Sequence, residues 1–240
     1  MKTFVKAMIF AAGLGTRLYP LTADKPKALV RIDGKTLLQN AIETVARAGI
    51  HEIVVNTHHF SDQIKNFIAT HSFDTDIQIS DESNQLLDTA GGLKFAEPLF
   101  ANATDILLYN VDILSSINLS QLIQYHIDSQ SLATLAVKNR FTSRFFIFDN
   151  NTMQLCGWQN NKTGEKLLPR PTTHELPLAF SGIHVVKKEI LNFIPDNQKL
   201  SMTPLYLQLS ENQVIKGYLH EDDTWMDIGK YDDLKDFNIQ

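Results

Sequence analysis

One cysteine in 240 residues excludes an internal disulfide framework and a cysteine-built zinc site. That residue, Cys156, lies in an apolar strand-like stretch where a packed thiol is expected. Long apolar runs are also missing, so no segment suits a bilayer span. The start, Met1-Lys2-Thr3-Phe4, lacks an apolar signal core, which points to a soluble cytoplasmic protein with no membrane partner. Glycine (11) and proline (8) are scattered thinly and leave no linker, repeat or low-complexity segment. One domain over 1–240 is therefore expected, with 43% hydrophobic residues to build its core. A surplus of positive charge is absent too: the net charge of −5 argues against a nucleic-acid binder. The local positive cluster runs from Arg17 to Arg31.

What remains is an alternation of strand and helix patterns. Phe4 to Phe10 reads as a buried strand. Leu37, Leu38, Ala41, Ile42, Val45 and Ala46 recur at helical spacing before Gly49, and Glu52 to Thr57 reads as the next strand. Ser61 is expected to cap a helix running to about His71, followed by a strand Asp76 to Ser80. A helix from about Ala90 to Phe100, a strand Asp105 to Asn110, a helix from about Leu119 to Ser129 and a strand Leu132 to Val137 continue the series. Such an order predicts an α/β fold with a mainly parallel sheet flanked by helices. The second half changes character. Phe145 to Phe148 and Thr152 to Leu155 flank Asp149-Asn150-Asn151 as a hairpin, and Asn160 to Gly164 reads as another turn. A buried strand Phe180 to Val186, helices around Lys188 to Phe193 and Thr203 to Ser210, and a strand Val214 to Leu219 complete the pattern.

The first strand runs into Ala11-Ala12-Gly13-Leu14-Gly15-Thr16-Arg17, with Lys25 and Lys27 close behind. Small residues let the backbone approach a ligand, successive amides can point at an anion, and the three cations suit phosphate. A dinucleotide fingerprint does not fit, because Leu18 stands where its third glycine belongs, so a nicotinamide oxidoreductase is disfavoured. Nor does a P-loop: Gly34-Lys35-Thr36 has Leu29 at the required glycine, and Asp33-Gly34-Lys35 reads as a plain turn. Two aspartates, Asp112 and Asp227, sit in apolar surroundings unusual for carboxylates. Brought together by the fold, they would suit magnesium, which accepts one or two carboxylates and completes its shell with phosphate and water.

Taken in order, Ala11 to Leu18, Pro20-Leu21-Thr22, Lys25 to Leu29, Thr89-Ala90-Gly91-Gly92, Asn110-Val111-Asp112 and Trp225 to Gly229 resemble the sugar-1-phosphate nucleotidylyltransferases. Within them the chain is most similar to short N-acetylmuramate-1-phosphate uridylyltransferases, with mannose-1-phosphate guanylyltransferases as near relatives. The resemblance implies a Rossmann-like nucleotide-diphospho-sugar transferase domain, its nucleotide part at about 1–115 and its sugar-phosphate part at about 116–240, without a C-terminal β-helix. The implied substrates are a nucleoside triphosphate, UTP favoured, and a sugar 1-phosphate, with Mg2+ as cofactor and a monomer or small homo-oligomer as the assembly. The alternatives are a guanylyl- or cytidylyltransferase on another phosphorylated metabolite, or a non-catalytic nucleotide-sugar-binding regulatory subunit.

The resemblance also implies roles for individual residues. Arg17 and Lys27 act on the reacting phosphates. Ala11, Ala12, Gly13, Gly15, Thr16, Thr89, Ala90, Gly91 and Asn110 bind the nucleotide. Ser181, Gly182 and the pair Glu165-Lys166 meet the sugar phosphate, and Asp112 and Asp227 hold the metal. Two positions depart from the family pattern: Val111 replaces the glycine of Asn-Gly-Asp, and Asp88 stands where many relatives have glycine. The nucleophile of such a transfer is already ionised, so no catalytic histidine is required, and His58 and His59 are expected to serve surface or packing roles.

Overall fold

The computed structural model describes residues 3–229, so residues 1–2 and 230–240 of the expected 1–240 domain lie outside the described residues. The chain begins with β1 (Val5–Phe10), whose side chains alternate between two cores: Ala7 and Ile9 face one, Met8 and Phe10 the other. A strand apolar on both faces must lie inside a sheet covered on both sides. A small hairpin of β2 (Arg31–Ile32) and β3 (Lys35–Thr36) turns at Asp33-Gly34 and leads into α1 (Leu37–Arg47). The Thr36 hydroxyl caps α1 by accepting from the Gln39 amide at 3.0 Å.

Next come β4 (Glu52–Thr57), α2 (Ser61–Thr70), β5 (Asp76–Asp81), α3 (Asp88–Phe95) and β6 (Asp105–Asn110). Strand β7 (Ile113–Ser115), α4 (Leu119–Ser129) and β8 (Ala133–Lys138) follow. The second half holds β9 (Arg144–Asp149), β10 (Leu155–Asn160), β11 (Glu165–Leu167) and β12 (Glu175–Lys187), then α5 (Met202–Ser210), β13 (Ile215–Leu219) and β14 (Trp225–Asp227).

Ten strands form one mixed sheet. Strands β5, β4, β1 and β6 run parallel in that spatial order, and the long β12 lies antiparallel beside β6. β12 then splits the sheet: its first residues pair with β9, which continues to β10 and β11, and its later ones pair with β8, which runs parallel to β13. Helices α1, α2 and α4 pack on one face, α3 and α5 on the other. The carboxyl ends of β1, β4, β6 and β8 therefore point to one side, where a ligand site is expected in an open α/β sheet.

Four expectations shift in register. Ser61 is the first helical residue of α2 and not its cap; its hydroxyl bonds the Thr57 hydroxyl at 2.8 Å, and the capping position falls to Phe60. The helix expected from Ala90 to Phe100 starts at Asp88 and gives way at Ala96 to a 310 turn, because Pro98 cannot donate to an α-helical ladder. In the 145–155 hairpin, the second strand begins at Leu155 because the Asp149 carboxylate accepts from Asn151 and Thr152 and holds residues 150–153 in a wider turn. The segment around Lys188–Phe193 is a 310 helix. Among the described residues, no helix is long and apolar enough to cross a membrane.

Candidate active site

The loop after β1 is tied down at both ends before it meets any ligand. The Ala11 amide donates to the Asn56 Oδ1 at the end of β4, at 2.7 Å. Gly15 adopts a positive φ of 67°, and a Cβ there would come within 3.0 Å of the Thr22 side chain and 3.1 Å of the Lys27 Cβ. Its carbonyl accepts from the Thr22 hydroxyl at 2.9 Å. Gly13 has open space around it, so its contribution is an uncovered backbone. The single 310 turn Thr16–Leu18 buries Leu18 completely and leaves Arg17 exposed with no ion-pair partner among the described residues. A 310 turn at Lys27–Leu29 then brings Lys27, only 8% exposed, into the floor, where its ammonium pairs with the Asp112 carboxylate.

Asp112 follows β6 and Asp227 ends β14. The pairing of β14 with β7 sets Asp227 opposite Ile113, and the Ile228 amide donates to the Asp112 carbonyl at 2.8 Å. The two carboxylates thus become neighbours across 115 positions of sequence. Asp227 is solvent-exposed on one side, while the groups packed around it desolvate its carboxyl. That desolvation raises its carboxyl pKa, Asp112 raises it further, and Lys27, Arg17 and Arg140 oppose the rise. Gly229 leaves room for this carboxyl, since a Cβ there would lie 2.7 Å from its Oδ1. Two adjacent carboxylates with water and phosphate space beside them match the donor set of a hard divalent cation.

A cleft of about 440 Å3 opens between the Ala11–Arg17 loop and the start of α3, bounded by Lys27, Asn110 and Asp112 below and by Glu82, Asp88, Thr89 and Lys199 opposite. Ala11, Ala12, Gly13, Gly15, Thr16, Arg17, Lys27, Thr89, Asn110 and Asp112 all line it. Ala90 and Gly91 stand behind the wall: both amides donate to the Leu200 carbonyl, and a Cβ on Gly91 would lie 2.2 Å from the Gln198 carbonyl oxygen. The Thr89 hydroxyl likewise accepts from the Met202 amide at 2.9 Å. The small residues after Asp88 therefore let the segment 198–202 dock on α3. Asp88 itself has a φ of 61°, the backbone shape that a glycine would adopt readily. Val111 is buried, and its amide donates to the Phe10 carbonyl.

Gly182 (φ 75°) allows β12 to approach β6, as a Cβ would sit 2.8 Å from the Ile113 side chain and 3.0 Å from the Asn110 side-chain Nδ2. Ser181 is fully buried: its hydroxyl bonds His220 Nε2 at 2.8 Å, and its carbonyl accepts from the Trp225 indole at 2.8 Å. Glu165 and Lys166 lie on β11, where Lys166 pairs with Glu175, the first residue of β12 and seven positions before Gly182; neither Glu165 nor Lys166 lines the cleft. The fold does not bring this pair to the cleft. His58 bonds the Glu82 carbonyl and His59 stacks on Phe60, in keeping with structural roles.

Three residues escape a motif-based reading. Glu82 is 2% exposed, and its carboxylate accepts from the Asn56 side chain at 2.7 Å. Burial pushes its pKa up, and the Asn56 bond only partly counters this. Glu82 sits just past β5, an edge strand whose residues are mostly half-buried or exposed, so no buried run marks it in the sequence. Lys199 reaches the cleft from the loop before α5, and Arg140, on the loop after β8, stacks on Trp225 and couples electrostatically to Asp227; neither belongs to a recognisable pattern.

The profile of the family described as Nucleotidyl transferase matches residues 6–240. Over 233 residues the chain is 30% identical to the N-acetylmuramate alpha-1-phosphate uridylyltransferase of Caulobacter vibrioides, covering 93% of this chain and 91% of that protein. It is 26% identical over 237 residues to the mannose-1-phosphate guanyltransferase of Gibberella zeae, covering 96% of this chain but only 62% of that longer protein. Among solved structures, HddC from Yersinia pseudotuberculosis complexed with GMP-PN superposes with a TM-score of 0.76 at 22% identity, covering 95% of each chain, a likeness of fold.

Proposed function

The chain belongs to the nucleotidyl transferase family, and on that premise we propose that it joins a nucleoside triphosphate, UTP favoured, to a sugar 1-phosphate, releasing pyrophosphate. The observation that carries this reading is the gathering of Arg17, Lys27 and Asp112 on one loop-walled cleft, with Asp227 electrostatically coupled to all three. A pure binding subunit has no need of a buried lysine held on a carboxylate beside a second carboxylate.

In the reaction, an oxygen of the sugar phosphate attacks the α-phosphorus, the bond from that phosphorus to the bridging oxygen of the β-phosphate breaks, and pyrophosphate leaves with the electron pair. Both partners are anions, so the site must cancel repulsion and hold them in line. The loop amides and Arg17 bind and orient the triphosphate. Lys27 places a desolvated positive charge beside the phosphates. Asp112 and Asp227 would hold magnesium, whose chemistry when bound is to neutralise phosphate charge. UTP and N-acetylmuramate 1-phosphate are favoured because the relative of that specificity is matched over nearly its full length.

A matrix of nucleoside triphosphates against sugar 1-phosphates, scored by magnesium-dependent pyrophosphate release, tests the reading. Turnover with UTP and N-acetylmuramate 1-phosphate is the expected result. A preference for GTP with mannose 1-phosphate would move the enzyme to the guanylyl branch, and no release with any pair would make the chain a binding subunit.

A further inference from the structure

Beside Asp227 and outside the residues that line the cleft stands a cation that the family motifs do not anticipate. Arg140 stands on the loop after β8, at the same carboxyl side of the sheet as the phosphate loop. Its guanidinium carbon lies 4.0 Å from the centre of the Trp225 ring, and its Nη2 donates to the Phe180 carbonyl at 2.9 Å. Trp225 is itself anchored on the Ser181 carbonyl and lies two residues before Asp227. The arginine is thus held from one face and one edge in a fixed orientation. Its other donors have nothing to bind: among the described residues, Nη1 has no partner, and Nε is buried with none. Among the described residues no carboxylate lies within ion-pair distance of it; burial lowers its pKa, and the more distant Asp227 only partly offsets this.

A desolvated, pre-oriented guanidinium with free donors is a costly arrangement unless an anion completes it. The lysine that sequence resemblance assigns to the sugar phosphate, Lys166, is paired with Glu175 at the start of β12 and does not line the cleft. We propose that Arg140, stacked on Trp225, is the residue that binds an anionic oxygen group of the acceptor substrate. This rests on the transferase reading above. Two groups could supply the oxygens, the 1-phosphate common to all such acceptors or a carboxylate carried by an acidic sugar.

The test is steady-state pyrophosphate release by the full chain with UTP and either N-acetylglucosamine 1-phosphate or N-acetylmuramate 1-phosphate, which differ by a lactyl carboxylate. Calorimetric binding of inorganic phosphate accompanies it. Arg140→Gln is expected to raise KM for the acceptor about tenfold or more while KM for UTP stays within about twofold, the scale for losing one charged contact. Arg140→Lys should recover part of the loss and controls for misfolding of the glutamine variant. A penalty equal on both acceptors assigns the phosphate; a penalty confined to the muramate acceptor assigns the carboxylate. Unchanged acceptor KM in folded Arg140→Gln, or an equal rise for UTP, overturns the inference while leaving the transferase reading intact. Failure of the unsubstituted chain to turn over any acceptor would instead sink the transferase reading. Arg140 would then be judged by phosphate binding alone: loss of that binding in Arg140→Gln supports the inference, and equal binding, or none by either protein, overturns it.

Discussion

Lys27 and Asp112, separated by 85 positions in the chain, form an ion pair in the floor of the cleft, with the lysine almost wholly buried. Each holds the other where the phosphates and the metal would meet. Asp112→Asn removes the charge with little change of shape, so turnover is expected to fall by on the order of 102-fold or more, the usual scale for one preorganised electrostatic group. Arg17→Ala should cost a similar factor. Near-normal kcat in both folded variants would refute these roles.

Chelation offers a separate check. With EDTA present, pyrophosphate release should vanish, and added magnesium should restore it. Asp227→Asn should shift the magnesium concentration needed for half-maximal rate upward. An unshifted requirement would take Asp227 out of the metal site.

Two glycines should respond in opposite ways. Gly91→Ala would press a methyl to 2.2 Å from the Gln198 carbonyl oxygen and is expected to cost about 1–3 kcal/mol in a urea melt, the range for forced overpacking. Gly13→Ala meets open space, so stability should hold while KM for UTP rises. Equal stability losses would contradict this division between packing and ligand approach.

Stability should also carry a histidine signature. His184 is completely buried beside Tyr206, and burial pushes its pKa from 6.5 down to about 3. The unfolded chain therefore binds the proton first, and unfolding free energy should fall as pH drops from about 6.5 toward 3, by up to about 1.4 kcal/mol per pH unit from this group. His184→Gln should show a shallower slope between pH 6 and 4 in urea denaturation. A slope unchanged by the substitution would remove His184 as the source.

Much of the first half was legible because its patterns are local. The buried strand at Val5–Phe10 and the helical spacing of Leu37 to Val45 each occupy a short stretch of chain. The Ala11–Arg17 loop and Asp112 were readable for the same reason. What escaped is set by pairing across the chain. Strands β7 and β14 have three residues each, too short for a period, yet they alone place Asp227 beside Asp112. Lys166 could be matched to a motif, but only the folded chain shows it paired with Glu175 at the start of β12 and absent from the cleft lining. Ser181 looked ligand-facing until His220 and Trp225, both from the end of the chain, claimed its polar atoms.

The docking of residues 198–202 on α3 bears on how the protein can be divided. The cleft wall at the start of α3 leans on backbone groups more than 100 positions downstream, through the Leu200 carbonyl and the Met202 amide bound to Thr89. A fragment ending near residue 115 would keep the phosphate loop but lose both that brace and Asp227. Such a fragment should neither hold its shape nor be revived by a separately supplied tail unless the tail carries both segments, which makes the two substrate halves one mechanical unit instead of two exchangeable modules.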